Sequence, residues 1–389
     1  MNKNSTEQNL YQAELLLNRL AKKAKLLKKW ARKNRVSCYR LYDRDIPEVP
    51  LAIDLYEFLP ADVHTKLEAA NLLREEAARI SANDMSVLAE KASRTYLHLY
   101  LYERPYEKDE ADEQIWLDTM AEAAAKSMGI DVSHVITKLR KKQRGDQQYE
   151  KIESKKTVSG LVQEQGQLFR VNLSDYLDTG LFFDHRELRR IVRDSSSGKT
   201  VLNLFCYTGS FSVYAAEGKA KRVESVDLSN TYLDWAEKNM YLNEFEEIST
   251  GGIDESSSSR GKYVFTRADV TGFLNQKLAE VPNAENTNRY DLIILDPPTF
   301  SNSKATRNTL DINRDWSDLV TKCANLLNPG GTLYFSTNSH RLRFDENLVP
   351  KTTDSGFEVS IEDMTEPSLP EDFKNTKIHR LWKIRVSQK

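Results

Sequence analysis

The stretch at residues 199–209, KTVLNLFCYTG, constrains the fold of this chain more than any other. It is a short apolar run that ends in a tight turn at Gly209, and the helical pattern FSVYAAEG follows at residues 211–218. A strand, a glycine turn and a helix form the first half of a βαβ unit. The sequence therefore predicts that a parallel sheet begins at this stretch.

Two further apolar strands end in acidic residues. The first ends at Asp227 and opens a helix, and the second, YDLIIL, stops at Asp296 before two prolines. Short, unbroken aliphatic strands are typical of parallel sheets that are covered on both faces. Ligands of such sheets bind at the carboxyl ends of the strands. We therefore expect Gly209, Asp227 and Asp296 to lie along one ligand-binding edge.

Strand–helix alternation continues from about residue 175 to the end of the chain. A strand at 264–270 carries Asp269 at its end, and strands at 357–361 and 378–386 follow one another without a helical pattern between them. The last strand is therefore expected to be antiparallel. We predict an α/β fold with a Rossmann-like sheet at residues 175–389, interrupted by an extra insert at 246–262 that contains a flexible loop.

Two further parts are predicted before this sheet. Residues 1–9 are polar and are expected to fray, whereas residues 10–31 place apolar side chains on one helix face. Residues 36–174 combine strand patterns with helix patterns and predict a small α+β domain that grips RNA or substrate: strands at 37–41, 52–56, 95–102 and 161–173, and helices at 61–81 and 110–128. The predicted domains are thus a helix at 1–35, the α+β domain and the sheet domain.

Positive charge is concentrated near the N-terminus, although the net charge of the chain is −2. Nine Lys or Arg residues and no acid lie between residues 19 and 35, and residues 138–156 are basic again. A solvated helix face would account for some of these residues. A run of like charge this long repels itself unless a polyanion lies nearby, which favours nucleic acid as a partner.

Composition favours a globular protein of the cytoplasm. Apolar residues make up 39% of the chain and charged residues 29%, and no apolar run is long enough to span a membrane or to form the core of a signal peptide. The three cysteines, Cys38, Cys206 and Cys323, are far apart and form no CxxC pair. We therefore expect neither a disulfide framework nor a metal site, and we expect a reducing compartment.

The turn after the first strand favours a ligand without a pyrophosphate. A dinucleotide fingerprint needs several glycines, whereas this turn has Gly209 alone, so a nicotinamide oxidoreductase is a weak alternative. One close backbone approach suits the amino-acid end of S-adenosylmethionine. Asp227 lies at the position where a carboxylate can accept hydrogen bonds from ribose hydroxyls, and Asp269 could accept one from an adenine amino group.

The sequence Asp296-Pro297-Pro298-Thr299 predicts the substrate end of the site. Two prolines fix the backbone and remove two N–H donors, so that carbonyl and carboxylate oxygens can face a planar group that carries donors. Phe300 could stack on such a group. A rigid exit from the strand, without any ligand, is the alternative explanation of the two prolines.

Three motifs together resemble a known family. The runs NLFCYTGSF, VDLSNTYLDWAEKN and DPPTFSNSK resemble class I S-adenosylmethionine-dependent methyltransferases. With DTGLFFDHR at 178–186 and the stretch at 25–47, the chain more narrowly resembles the bacterial 23S ribosomal RNA methyltransferases of the RlmK/RlmI group. The similarity to the RlmK half of the fused RlmKL enzyme implies 7-methylguanosine as the product. The RlmL half has no counterpart here, so a separate RlmL-like protein is a possible partner.

This resemblance also implies the site residues. It implies that the cofactor lies against four residues of the first strand and its turn, with Asp227 at the ribose and Asp269 near the adenine: Asn203, Phe205, Tyr207 and Gly209. Asp296, Pro297 and Pro298 would line the pocket of the target base, with Phe300 against it. Asp184 and Arg186 would lie beside this pocket among the cofactor-binding residues.

The target atom can be argued partly from the cysteines. Methylation of cytosine C5 needs a thiolate that adds to the ring, and in the cytosine-C5 relatives this cysteine follows the fifth strand, where the present chain reads Phe335-Ser336-Thr337-Asn338. Guanine N7 carries an in-plane lone pair and needs only positioning. Another base nitrogen and a non-catalytic RNA-binding assembly factor remain as alternatives. His185, the histidine inside a motif, is expected to be structural rather than catalytic.

Overall fold

The computed structural model describes residues 3–102, 106, 108–139, 157–176, 178–251, 261–281, 289–301, 309–374, 376 and 378–388. Most of the predicted basic stretch at 138–156, of the low-complexity insert and of the polar loop at 282–289 lies outside these residues, as do residues 302–304 of the DPPTFSNSK motif. The chain divides into two compact units, residues 1–179 and 180–389. Each unit is described by itself.

The first unit contains a four-stranded sheet in the order β1-β2-β3-β4. Strands β1 to β3 pair antiparallel, whereas β3 and β4 are parallel. A separate antiparallel hairpin, β5-β6, follows. The strands are β1 (Cys38–Asp43), β2 (Leu51–Glu57), β3 (Thr95–Leu101), β4 (Val135–Leu139), β5 (Ser159–Glu164) and β6 (Gln167–Asn172). The predicted strands of this region are therefore present within a few residues of their expected limits.

The helices of this unit are α1 (Lys3–Lys33), α2 (Lys66–Ser81), α3 (Ser86–Ser93) and α4 (Glu110–Met128). Helix α4 has the limits that its sequence predicts because both of its caps are strong. The Asp109 side chain accepts hydrogen bonds from two N–H groups of the first turn, and Gly129 adopts a left-handed φ of 66° after the last turn.

Helix α1 packs into the core of the first unit. Leu16 and Leu20 are fully buried, and α1 packs against α4. Residues 3–9, which are expected to fray, form the first turns of α1, since the helix begins at Lys3. Its N-terminal turns are held by the buried Gln12, whose Oε1 accepts a hydrogen bond of 2.7 Å from the Trp116 indole.

The apolar face of α1 differs in part from the predicted one. The spacing predicts Leu10 on the apolar face, but Leu10 is largely exposed, whereas Leu16, which the spacing leaves out, is fully buried. The remaining buried members follow the predicted spacing: Ala13, Leu20, Leu27 and Ala31. The helix is therefore amphipathic along its length, with one face in the core and the cationic face outward.

The second unit is built on an eight-stranded sheet of the described residues, in the order β15-β16-β14-β11-β7-β8-β10-β9. The strands are β7 (Thr200–Leu204), β8 (Arg222–Asp227), β9 (Ile248–Gly251), β10 (Tyr263–Arg267), β11 (Tyr290–Leu295), β14 (Leu327–Thr337), β15 (Glu358–Asp363) and β16 (Arg380–Ser387). Strands β9, β10, β8, β7, β11 and β14 are parallel. The last strand, β16, is antiparallel to both neighbours, as predicted.

The helices of the second unit are α5 (Arg186–Ser195), α6 (Ser210–Glu217), α7 (Asn230–Leu242), α8 (Val270–Glu280) and α9 (Ile312–Asn325). Two short strands, β12 (Phe300–Ser301) and β13 (Leu310–Asp311), pair with each other. The chain runs from β7 outward to β8 and later returns to β11 on the other side of β7. The carboxyl ends of β7 and β11 therefore lie at the point where the strand order reverses, which is the place where α/β sheets generally bind ligands.

No helix in the described part of the chain is long and apolar enough to cross a membrane.

The burial of α1 gives a test with a control in the same helix. Replacing the fully buried Leu20 by alanine removes core contacts and should lower the free energy of unfolding by about 2–5 kcal/mol. Replacing Leu26, which is 67% exposed, should change it by less than about 0.5 kcal/mol. Urea unfolding followed by circular dichroism measures both values. Equal values for the two variants would contradict the placement of α1 in the core.

Candidate active site

The loop after β7 has an unusual backbone. Phe205, Tyr207 and Gly209 have φ angles of 54°, 50° and 72°, a region that residues with side chains seldom adopt. A Cβ atom at position 209 would lie 2.7 Å from the Ala236 Cβ on α7. The approach of a ligand, which the sequence predicts, is therefore not the only reason for a glycine here. The left-handed backbone and the packing of α7 also require it.

Hydrogen bonds from three directions hold this loop. The Tyr207 N–H donates to Asp227 Oδ2 at 3.0 Å, and the Thr208 hydroxyl donates to the Gly180 carbonyl at 2.6 Å. The Asn239 amide of α7 donates to the Thr208 carbonyl at 2.9 Å. The turn is thus a fixed structure that β8, α7 and the segment before α5 support together.

Asp227 lies at the carboxyl end of β8, next to this loop. Its Oδ1 accepts a hydrogen bond of 2.9 Å from the Ser229 N–H, in addition to the bond from Tyr207. Burial raises the pKa of Asp227 to about 6, against the opposing effect of the backbone N–H donors. Among the described residues, backbone N–H groups donate to this carboxyl group and no cation offsets its burial.

Asn203 and Asp269 have local structural contacts. The buried Asn203 amide donates to the Ser212 hydroxyl at 2.9 Å. Asp269 does not end a strand, because β10 stops at Arg267; it is instead the exposed N-cap of α8, where its Oδ2 accepts a hydrogen bond of 2.9 Å from the Gly272 N–H. An aspartate just before a helix has this capping role as its usual one.

The Asp296-Pro297-Pro298 segment follows β11, which lies between β7 and β14. Pro297 is buried, Pro298 is half-buried, and the Phe300 side chain is 51% exposed. Asp296 Oδ1 accepts a short hydrogen bond from the Ser336 hydroxyl at the end of the adjacent strand β14. The acid of this segment is therefore oriented by a residue of the neighbouring strand.

A buried cluster of Asp184, His185 and His379 lies beside Asp296. His379 Nδ1 is 3.2 Å and His185 Nδ1 is 3.8 Å from Asp184 Oδ2, and His185 Nε2 is 3.6 Å from Asp296 Oδ1. Burial acts to raise the pKa of Asp184, but His185, His379 and Arg189 outweigh it and hold this pKa well below its usual range. Ligand atoms of the three cluster residues lie within 4.8 Å of one another, so the set could also hold a metal ion.

Arg186 begins α5 and is fully buried. Its Nη1 donates a hydrogen bond of 2.5 Å to Asp372 Oδ1, whose side chain is also fully buried. This ion pair joins α5 to the segment before β16, so the structure assigns the guanidinium a structural contact.

The structure brings together residues that the sequence does not connect. His379 lies 195 residues from Asp184, and no local pattern relates the two. Ser336 lies in the segment at 335–338 that contains no cysteine, and the structure makes it the hydrogen-bond partner of Asp296. Phe182, a member of the DTGLFFDHR motif without a predicted role, is half-exposed, and its ring centroid lies 5.2 Å from that of Tyr207.

Comparison with known proteins supports a single family. The family model of S-adenosylmethionine-dependent methyltransferases matches residues 82–371. A protein of Neisseria meningitidis named ribosomal RNA large subunit methyltransferase K is 39% identical over 95% of this chain and 86% of its own length. A protein of Hahella chejuensis named ribosomal RNA large subunit methyltransferase K/L is 40% identical over 97% of this chain, which spans only 43% of that relative.

Solved structures agree in fold. A crystal structure of a methyltransferase complexed with SAH has a TM-score of 0.64 and 21% identity over 96% of this chain and 82% of its own. A Streptococcus mutans protein described as an S-adenosylmethionine-dependent methyltransferase has a TM-score of 0.61 and 20% identity over 96% and 81% of the two chains. The predicted fold class is confirmed.

The family match covers most of the chain, and the relative from Neisseria is matched over most of its length. The resemblance predicted from the strand-end motifs is therefore confirmed, together with the cofactor class. This chain belongs to the S-adenosylmethionine-dependent methyltransferases.

Proposed function

We propose that this chain transfers a methyl group from S-adenosylmethionine to N7 of a guanine in 23S ribosomal RNA, in the cytoplasm. The similarity to the Neisseria protein named ribosomal RNA large subunit methyltransferase K carries this proposal, because it extends over 86% of that protein. The K/L relatives contain a second region that the match does not reach. A separate RlmL-like protein stays a predicted partner.

The loop after β7 and Asp227 are the residues that would hold the cofactor. Asp227 fits the task because it is an acceptor at a strand end, and donors from ribose hydroxyls would stabilise its ionised form. The cofactor would lie against three residues of this loop, Phe205, Tyr207 and Gly209, and against Asn203 of β7. Asp269 would face the adenine. Asp184 and Arg186 are also proposed to belong to the cofactor-binding residues. When bound, the cofactor supplies an electrophilic methyl group on a sulfonium.

The Asp296-Pro297-Pro298 segment is proposed to hold the target base. The carboxylate of Asp296 can accept hydrogen bonds from the N–H groups of guanine, and the exposed Phe300 ring can stack on its face. The base must leave its stack to reach this position. In this position Asp296 would orient the base so that N7 faces the methyl group of the bound cofactor, and it would offset the positive charge that the guanine ring gains on methylation.

The cysteines favour a nitrogen as the target atom. All three cysteines of the chain are buried. Burial raises the pKa of the Cys206 and Cys323 thiols well above the usual value, so neither is available as a thiolate at neutral pH. Covalent addition to a cytosine ring is therefore disfavoured. Another base nitrogen and a non-catalytic assembly factor remain the alternatives.

The outer face of α1 is proposed to bind the RNA backbone. Arg19 and Lys23 pair with Asp45, whereas six further cations of this helix face solvent: Lys22, Lys25, Lys28, Lys29, Arg32 and Lys33. Spacings of three and four residues put Lys22, Lys25, Lys29 and Arg32 along one stripe. Such a stripe suits contacts to successive phosphates, whose strength falls as salt rises.

The first prediction concerns Asp296. Replacing it by asparagine removes the charge but keeps the shape, and should lower methyl transfer by about 10²–10³-fold while the affinity for S-adenosylmethionine in calorimetry is kept. Cells without the gene should lack one 7-methylguanosine in 23S RNA by nucleoside mass spectrometry, and the wild-type chain should restore it where the variant does not.

Asp318→Asn, an exposed aspartate on α9, is the control and should behave as the wild type. Equal loss of transfer and of cofactor affinity in Asp296→Asn would contradict the proposed pocket. Loss of a different methylated nucleoside would overturn the N7 assignment, and a wild-type chain that binds no cofactor would favour the assembly factor.

The second prediction concerns pH. Because the pKa of Asp227 is about 6 in the free protein and ribose donors favour its ionised form, cofactor binding should release a proton and weaken as the pH falls. Only about one-tenth of the carboxyl groups are ionised at pH 5, so the Kd should be about tenfold higher at pH 5 than at pH 7. The Asp227→Asn variant should bind the cofactor more weakly, and its Kd should be the same at pH 5 and at pH 7. A flat profile for the wild type in calorimetry would refute the role of Asp227.

The third prediction concerns α1. Deleting the helix would expose the core, so the test replaces its exposed cations by glutamine at Lys25, Lys29 and Arg32. The salt slope of RNA binding should fall by about 2–3, since each phosphate contact contributes about 0.7–0.9. The control variant replaces three other exposed lysines by glutamine, Lys126, Lys221 and Lys351, and should keep the wild-type salt slope. Filter binding across a salt series measures both, and an unchanged slope in the α1 variant would exclude this surface.

A further inference from the structure

His185 lies between the Asp184 side and the Asp296 side of the site. It ends a short 3₁₀ turn at Phe183–His185 and is buried. Its Nε2 is 3.1 Å from the Ser336 hydroxyl oxygen and 3.6 Å from Asp296 Oδ1. The ring therefore contacts both the acid proposed to hold the base and the serine that binds this acid.

The directions of the hydrogen bonds determine that Nε2 of His185 carries a hydrogen. The Ser336 hydroxyl has a single proton, and its short contact to Asp296 Oδ1 directs this proton to the carboxylate. The serine oxygen can then only accept from His185, so His185 Nε2 must carry a hydrogen. His185 thus donates a hydrogen bond to Ser336, and Ser336 donates one to Asp296.

The opposite side of the ring is held as well. Asp184 Oδ2 faces Nδ1 of His185 and accepts from Nδ1 of His379, whose Nε2 contacts the Ser368 hydroxyl at 2.8 Å. The two imidazole rings lie nearly parallel, with centroids 4.9 Å apart. A buried ring with contacts on its edges and its face has little freedom to turn.

We propose that His185 is a positioning residue for methyl transfer: its Nε2–H holds Ser336, and Ser336 holds the Asp296 carboxylate in the orientation that receives the target base. This assignment rests on the proposed function, in which Asp296 contacts the base. His185 itself touches no reacting atom. Its effect is to keep Asp296 from turning, and small misplacements of such a group cost much of the rate.

The first test determines, in the absence of substrate, which ring nitrogen of His185 carries hydrogen. Histidine-selective ¹⁵N labelling of the full chain, which has six histidines, shows which ring nitrogens carry hydrogen, and His185→Gln assigns the signal. His185 should show a protonated Nε2 that changes in Ser336→Ala. A His185 signal with Nε2 unprotonated would overturn the proposal whatever the enzyme does.

The second test measures single-turnover transfer to 23S RNA with saturating cofactor. His185→Phe keeps a ring but loses the donor, and the rate should fall about 100-fold with the Kd for cofactor unchanged. His185→Gln keeps an N–H donor and should be at least about tenfold faster than His185→Phe. His64→Gln, an exposed histidine of the first unit, should match the wild type.

A double variant separates positioning from general damage. If His185 acts only through Ser336, then His185→Phe combined with Ser336→Ala should be no slower than Ser336→Ala alone. Additive losses, or equal losses in His185→Gln and His185→Phe, would overturn the proposal. A wild-type chain that binds cofactor but methylates no ribosomal RNA would instead overturn the proposed function, while the ring protonation still decides the hydrogen-bond arrangement.

Discussion

The hydrogen bond from the Tyr207 N–H to Asp227 is the interaction on which the site depends. The loop after β7 has left-handed φ angles at Phe205 and Tyr207, and each such residue costs on the order of 1–3 kcal/mol. A bond to a charged acceptor contributes about 1.5–3 kcal/mol and offsets part of this cost. Because Asp227 is on the neighbouring strand, the loop keeps its form only while β7 and β8 are in register. The acid proposed to bind ribose is thus also a support of the loop.

Much of the second unit follows from local sequence. Short aliphatic runs predict the parallel strands, and the absence of a helical pattern before residues 378–386 predicts the antiparallel last strand, both as observed. Helix α4 has its predicted limits because Asp109 and Gly129 are strong caps. Local rules of this kind require no knowledge of distant residues. They indicate the edge of the sheet where we propose that the ligands bind.

The remaining features depend on contacts between distant residues. Arg186 and Asp372 are 186 residues apart, and Asp296 and Ser336 are 40 apart on separate strands, so neither pair leaves a periodic signal in the sequence. A polar residue in a motif can serve a ligand or a partner within the fold, and the sequence does not distinguish the two. Asp269 is a different case, since an aspartate before a helix pattern is a local capping signal that the strand interpretation overlooked.

Asp184 and Asp227 show how the surroundings of two acids on this edge set different charge states. Asp184 has two histidines and Arg189 close by, and these hold its pKa low despite burial. Asp227 has backbone donors but no cation, so burial prevails and its pKa rises to about 6. Asp184 therefore stays ionised at every pH near neutrality, whereas Asp227 takes up a proton just below it. A mildly acidic pH should consequently protonate Asp227, which is assigned to the cofactor. Asp184 should stay ionised and keep its contact with His185.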